Sequence, residues 1–452
     1  MDFIQVARKL IALESSPSTG NQALARELIS LMHSLGLEVE IQEQAWAGHP
    51  QLNIWAKRMQ DSWEQPWLLL QAHLDTADPG PFAEWTWTDQ NPFDAHVIDS
   101  HLYGLGAADA KIDFLCKLEA LRSWSQPANG FCPVLLGTFS EEQGMMGALK
   151  FIRKKGPRVR WALVGEATGL RMVTAAKGLA VVEIRIPFEE EEILLLSQHN
   201  QSENTSTQSK LFRGRAAHSS RPQDGESAIH KMVDDLLMLP QYITIMEIDG
   251  GQNYNTIASH AFMEFDIGSQ LKKNLAQKLN RLVRVIHEIH EEFPSFNDAD
   301  FEPSQPTLNI GCIRTFADHV SISGTCRLPP SVQQADYESW MRRLQEVCLE
   351  IRSDFRIVDY KRPFRTPEDA EILRVAQETL EGLGLSTRSG TLPLTNEASL
   401  FSRLQVETFC FGPGHHEGNL HTPQERVPLQ NLQMAVVFYR DFLEKFNLRR
   451  LG

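Results

Sequence analysis

Apolar runs and segments of helical period alternate along the first 180 residues. Met1 to Leu10 predicts an amphipathic helix. Leu24, Leu28, Leu31, Met32 and Leu35 repeat at the spacing of one helix face, and Gly36 stops that helix. Leu37, Val39 and Ile41 then alternate, which predicts a strand with one buried side. Asn53 to Ala56 and Trp67 to Gln71 predict two more strands, the second almost wholly apolar. Ala110 to Trp124 predicts a helix leading into strand Pro133 to Phe139. Trp161 to Val164 and Glu407 to Phe411 read as further buried strands. Helices alternating with apolar strands predict an α/β fold, with a mixed, largely parallel sheet sandwiched by helices. In such sheets ligands collect outside the carboxyl ends of the strands.

After Gly178 the pattern changes. Strand Ala180 to Ile186 is followed by the acidic run Glu189 to Glu192 and a polar tract from Ser197 to Lys210, which read as a solvated insertion over 187–210. A strand–helix–strand–strand pattern comes next: Leu211 to Ala217, Ala228 to Leu239, Ile243 to Ile248 and Ala261 to Ile267. A second round has helix Leu271 to Phe293, strands Thr307 to Ile313 and His319 to Thr325, and helix Tyr337 to Ile351. The expected organisation is a first domain formed by 1–178 and 361–452, with an α+β domain, 179–360, inserted into it.

A chain of 452 residues exceeds one ordinary core, in keeping with two domains. Hydrophobic residues make up 42% and charged residues 23%, as in globular proteins. The net charge of -14, from 44 basic and 58 acidic residues, argues against nucleic acid or an anionic membrane as a partner. The N-terminus lacks the basic-then-apolar order of a signal peptide, and no apolar run approaches a membrane span. Six scattered cysteines without a Cys-x-x-Cys pair read as buried thiols, and the expected compartment is the reducing cytoplasm.

The chemistry lies where apolar runs end. His73-Leu74-Asp75, Asp109, Glu141-Glu142, Glu166 and His421 each offer a metal-binding side chain beside such a run. Acids and imidazoles at buried strand ends are costly to desolvate without a partner, and two divalent ions suit two His and three carboxylates. A metal-bound imidazole needs an acceptor on its other nitrogen, and Asp75 can orient His73. Asp109 follows the glycine loop Gly104 to Ala108; it reads equally as a helix N-cap or as a carboxylate bridging two ions. Adjacent Glu141 and Glu142 leave the backbone in different directions, so one can bind metal while the other serves as general base. His415 and His416 compete with His421 and rank below it.

The order His-x-Asp, Asp after a Gly-Ala loop, Glu-Glu, Gly-Glu and His-Thr-Pro-x-Glu resembles a metal-dependent family. Its members include acetylornithine deacetylase, succinyl-diaminopimelate desuccinylase, aminoacylase-1 and glutamate carboxypeptidases. Trp87, Pro92-Phe93, the segment Gly214 to Ser220 with Pro222 and Gly225, and Gly250-Gly251 with Asn255 extend the likeness through nearly the whole chain. The resemblance implies a zinc-peptidase-like fold with an inserted lid and dimerisation domain, and a homodimer joined through the lids. It implies two ions, zinc foremost, with cobalt and manganese as alternatives. Asp109 would bridge them, His73 and Glu166 would complete one site, and Glu142 and His421 the other. Glu141 would be the general base and His218 the oxyanion partner, while Asn255 and Arg327 would contact substrate. The implied activity is hydrolysis of the amide bond of an N-acyl amino acid. A dipeptidase or carboxypeptidase on the same residues is the alternative, and a catalytically silent binding protein a remoter one. Lys111-Ile112-Asp113 replaces the family's Lys-Gly-Gly, Asn255-Thr256-Ile257-Ala258 replaces Asn-x-Ile-Pro, and the arginine expected near Gly268 is missing, so the substrate stays open.

Overall fold

The computed structural model describes residues 2–46, 48–190, 193, 207–239, 243–267 and 274–450. Most of the expected polar insertion, Gly268 and the first turn of the helix expected from Leu271 lie outside these residues. The chain forms two compact units. The first is Met1–Ala175, Phe364–Thr391 and Asn396–Gly452; the second is Ala176–Pro363 with Leu392–Thr395. That last short segment is one that the sequence pattern gave no reason to separate from its neighbours.

The first unit holds a nine-stranded sheet. Edge to edge it runs Leu37–Trp46, His49–Arg58, Cys132–Thr138, Trp67–His73, Val159–Val164, Glu407–Cys410, Val173–Ala176 and Phe364–Arg365, with a short ninth strand beside Val173–Ala176. The four strands from Cys132–Thr138 to Glu407–Cys410 are mutually parallel. Trp67–His73 is buried at every position because it has a parallel neighbour on each side, which is why its sequence is an unbroken apolar run. The flanks are antiparallel. Leu37–Trp46 is an edge strand. Only Leu37 is buried and Ile41 is 45% exposed, so the one-sided burial expected from its alternation does not occur. Its partner begins at His49, ahead of the expected Asn53, because the hairpin pairs Trp46 with His49.

Helix Lys111–Ser123 packs its Ile112, Leu115 and Leu118 into the same core as Leu70 and Leu135 of the sheet and Phe438 and Phe442 of helix Leu429–Arg449. Inside this core is a buried ion pair. Lys117 Nζ lies 2.5 Å from Asp113 Oδ2 and donates to the Gln71 carbonyl at 2.6 Å, while the Tyr439 hydroxyl donates to Asp113 Oδ1 at 2.5 Å. Asp113 stands where the resembling family has glycine, and Lys117 one helical turn later supplies its counter-charge.

The second unit is a seven-stranded antiparallel sheet in the order Thr207–Arg213, His260–Ile267, Ile243–Gly250, Thr307–Thr315, His319–Leu328, Gly178–Pro187 and Asp354–Lys361. Its core includes Ile229, Met232 and Leu236 of helix Ala228–Met238, Leu279 and Leu282 of helix Asn274–Glu291, and Trp340 and Leu344 of helix Gln334–Glu350. The strand expected to reach Ala217 stops at Arg213. At Gly214 a Cβ would fall 1.9 Å from the Glu226 carbonyl oxygen, so the chain turns there against the Arg215–Glu226 bridge.

The six cysteines are free, and no described helix is long and apolar enough to cross a membrane. Lys117→Met should strand the Asp113 carboxylate in the core and cost about 3–5 kcal/mol, whereas Asp113→Leu combined with Lys117→Met should recover much of that loss. Urea unfolding measures both. An unchanged midpoint for Lys117→Met would show that the pair contributes nothing.

Candidate metal centre

Every candidate ligand of the first unit follows a strand end or a loop beside one. Asp109 closes the loop from Gly104. Gly106 has φ +84°, and a Cβ there would meet Lys111 Cδ and Thr76 Cγ2 at 2.9 Å, so only glycine fits this turn. Glu425 Oε1 accepts the N–H groups of Gly106 at 3.0 Å, Ala108 at 2.9 Å and Asp109 at 3.3 Å, which fixes the loop from the other side. The helix that follows starts from Ala110 as N-cap, so Asp109 does not serve as the cap.

Its carboxylate lies between two imidazoles instead. Oδ1 is 3.1 Å from His73 Nε2, and Oδ2 is 3.7 Å from His421 Nε2. Glu142 Oε1 is 2.9 Å from the same His421 nitrogen. Among the described residues, Asp109, Glu142 and His421 are the group of three whose ligand atoms all lie within 4.8 Å of one another. Asp109 thus presents one oxygen to each histidine.

His73 ends strand Trp67–His73. Its Nδ1 is 3.0 Å from the backbone carbonyl of Asp75 and 3.7 Å from that residue's carboxylate. A carbonyl only accepts, so Nδ1 carries a proton, and an ion between Nε2 and Asp109 would take the Nε2 lone pair, the form in which imidazole binds metals. The Asp75 carbonyl makes the hydrogen bond, and its carboxylate faces the same nitrogen at the longer distance. The Asp75 carboxylate accepts Glu141 N–H at 3.0 Å on one oxygen and Glu142 N–H at 3.1 Å on the other. It clamps the turn that presents both glutamates.

The electrostatics share one cause: too many acids for the cations present. Burial lifts the Glu141 and Glu166 carboxyls well above the usual range, and neighbouring carboxylates add to it, Glu142 foremost for Glu141 and Asp109 for Glu166. Burial likewise lifts Asp75 to about 6 and Glu397 and Glu425 to about 7. Burial also opposes ionisation of Asp109, but the two imidazoles beside it more than compensate and hold its carboxyl far below the usual range. Burial disfavours the imidazolium of His73 and of His421, yet the surrounding carboxylates raise both, His421 to about 11. Positive charge is what this cluster lacks, and a pair of divalent ions would supply it. The donor set of imidazole nitrogens and carboxylate oxygens fits that chemistry.

His415 is accounted for without metal: its Nε2 lies 3.3 Å from Asn431 Nδ2 and its ring fills the space at Gly169. Glu166 follows strand Val159–Val164, and Asp109, His73, Glu397 and Glu142 act on it electrostatically. Three expected residues belong to the second unit. His218 Nδ1 accepts the N–H of Ser220 at 3.2 Å, which leaves the ring proton on Nε2 as a donor. Asn255 is its neighbour through the Ser219 N–H to Asn255 carbonyl bond of 2.8 Å, and its side-chain oxygen is buried without a partner. Arg327 is 5% exposed; among the described residues its Nε has no partner and its Nη1 makes a 3.5 Å bond to Thr395 Oγ1, and burial lowers its pKa to about 10.

Sequence reasoning passed over Glu397, Gln71 and Thr138, which lie behind His73, and gave Glu425 no role. Glu425 had a signal, as the last residue of His-Thr-Pro-x-Glu. The others had none, because polar residues inside an apolar run and an acid beside a helix start are ordinary features.

A sequence profile described as peptidase family M20/M25/M40 matches residues 69–445. Acetylornithine deacetylase of Proteus mirabilis is 31% identical over 243 residues, covering 52% of this chain and 54% of that protein, so the chain spans about half the length of this relative. Acetylornithine deacetylase of Yersinia pestis is 26% identical over 368 residues, covering 74% of this chain and 87% of that one. Among solved structures, aminoacylhistidine dipeptidase from Vibrio alginolyticus aligns with a TM-score of 0.66 at 14% identity, covering 98% of this chain and 96% of the other. An M20 family metallo-carboxypeptidase from Sulfolobus solfataricus gives 0.63 at 16% identity, over 99% and 100%. At these identities the structural likeness is one of fold.

Glu425→Ala should leave the Gly106, Ala108 and Asp109 N–H groups without their acceptor and lower stability by about 1–3 kcal/mol, while Glu425→Gln keeps an acceptor oxygen and loses less. Urea unfolding of the two variants side by side measures the difference. Equal midpoints for Glu425→Ala and the wild type would show that the loop holds itself.

Proposed function

The chain belongs to peptidase family M20/M25/M40, and we propose that it is a dinuclear-metal amidohydrolase cleaving the amide bond of an N-acyl amino acid. The observation that carries this reading is the Asp109 carboxylate with one oxygen towards His73 and the other towards His421. His73 and Glu166 would hold one ion and Glu142 and His421 the other, with Asp109 shared. When bound, the two ions supply Lewis acidity towards the scissile carbonyl and lower the pKa of water. Zinc suits the nitrogen and oxygen donors, and cobalt and manganese are alternatives within the same donor chemistry.

Glu141 is the assigned general base. It takes the proton from the attacking water and delivers it to the leaving amine. Asp75 holds the Glu141 and Glu142 amides, so base and ligand diverge from one fixed turn. His218, carrying its proton on Nε2, is the assigned donor to the oxyanion. Arg327, buried and without a carboxylate partner among the described residues, is suited to a substrate carboxylate, with Asn255 as a polar contact. The relatives named acetylornithine deacetylase favour an acylated amino acid over a dipeptide. We further propose a homodimer through the second unit and a reducing cytoplasmic setting, the latter in keeping with six free cysteines.

Hydrolysis of N-acetyl and N-succinyl amino acids, compared with dipeptides, should favour the acylated substrates, vanish with a chelator and return with zinc. Undiminished turnover by protein shown to be metal-free would refute the mechanism, and a preference for dipeptides would reassign the substrate. Glu141→Gln should keep its metal while losing several orders of magnitude in kcat, whereas Glu142→Gln should lose metal affinity. The reverse pattern would exchange their roles. His218→Ala should bind metal normally and lose about 10²–10³-fold in kcat, the effect of one oxyanion donor; a fully active variant would leave that histidine only a role in its own turn.

A further inference from the structure

Gln71 is held through both its backbone and its side chain. Its backbone carbonyl accepts Gly165 N–H at 2.7 Å and Lys117 Nζ at 2.6 Å. Its amide nitrogen donates to the Thr138 hydroxyl at 3.0 Å and makes a close contact with Glu397 Oε2. Gln71 and His73 are two apart on one strand, so their side chains share a face of the sheet. Thr138 is the residue paired with His73 in the neighbouring strand, and its carbonyl accepts Leu74 N–H at 2.8 Å. Thr138 in turn donates its hydroxyl proton to Glu397 Oε2 at 2.8 Å. One carboxylate oxygen therefore receives both side chains that flank His73, one along the strand and one across it.

Glu397 comes from a distant part of the chain, just before the short helix Ala398–Ser402, and is 1% exposed. Its other oxygen, Oε1, is buried with no hydrogen-bond partner among the described residues, and so is Gln71 Oε1. A carboxylate left half satisfied in a core is expensive. His73, Asp75, Glu141 and Glu166 all interact with it electrostatically, so the cost is taken next to the proposed metal centre.

We propose that Glu397 is a positioning residue for the metal centre: by receiving the Gln71 amide and the Thr138 hydroxyl on one oxygen, it fixes the ends of the two strands that carry His73 and the Glu141–Glu142 turn. It acts through hydrogen bonds to these two residues and is not itself a ligand. Outer partners of this kind set the orientation of ligands and typically govern 10–100-fold in metal affinity or activity. The inference rests on the reading of the centre as a metal site.

The test is zinc affinity, by competition with a chromophoric chelator, beside the urea midpoint of each metal-free protein. Glu397→Ala should bind zinc about 10–100-fold more weakly. Glu397→Gln, whose amide oxygen accepts the same two bonds, should recover most of that affinity. Thr138→Val, which breaks the lock from the other side, should weaken binding in the same direction and keeps the test open if Glu397→Ala does not fold. Wild-type affinity in Glu397→Ala with a lowered midpoint would make the residue merely structural and overturn the proposal. Glu397→Gln as weak as Glu397→Ala would also overturn it, since charge and not bonding would then be at work. A wild type that takes up no divalent ion overturns the metal reading and this one with it. Two ions in the wild type beside an unaffected Glu397→Ala overturn this one alone.

Discussion

The structure of the centre turns on one electrostatic constraint. Asp75, Asp109, Glu141, Glu142, Glu166, Glu397 and Glu425 are gathered around two imidazoles, and burial lifts the carboxyls of Asp75, Glu141, Glu166, Glu397 and Glu425 above the usual range. Such a cluster is costly to bury, and an occupant of high positive charge would offset that cost. The scaffold acts accordingly, spending its rigid backbone contacts on aiming the ligands. Asp75 clamps the Glu141–Glu142 turn, and Glu425 clamps the loop before Asp109. The parallel strands bring both to the same sheet end.

Each clamp is a carboxylate receiving backbone N–H groups, and none of them is a proposed ligand. That division explains why so many acids are needed for so few coordination positions. Acids that hold backbone are satisfied by amides, which leaves the oxygens of Asp109 and Glu142 directed at imidazoles. The Asp113–Lys117 pair extends the same logic one layer deeper. Lys117 holds the Gln71 backbone carbonyl while Glu397 meets its side-chain amide, so the strand that ends in His73 is gripped at one residue through backbone and side chain.

Much of this was legible because metal chemistry restricts residue types. His73, Asp109, Glu142 and His421 stand at the ends of apolar runs, where few other purposes suit a charged group. The parallel core was legible for a related reason: Trp67–His73 is covered by sheet neighbours on both sides and must be apolar throughout. Strand direction on the flanks was not legible, since alternation is the same for either direction and only the hairpin Trp46–His49 fixes it. Ile41 misled because an edge strand need not bury the face its pattern offers. Glu397 was invisible because its partners, Gln71 and Thr138, are uncharged residues hundreds of positions away, and no local pattern records that meeting. Asp75 was read as the partner of His73, and its bonds to the Glu141 and Glu142 amides were not legible, for a side chain meeting a distant backbone leaves no trace in sequence.

The central claim is that Asp109 bridges two ions. Anomalous diffraction at the zinc edge, from crystals grown with zinc, tests it directly. The account predicts two peaks about 3.5–4 Å apart, one on each side of the Asp109 carboxylate, with His73 and Glu166 at one and Glu142 and His421 at the other. A single peak, or two peaks that do not share Asp109, would contradict it.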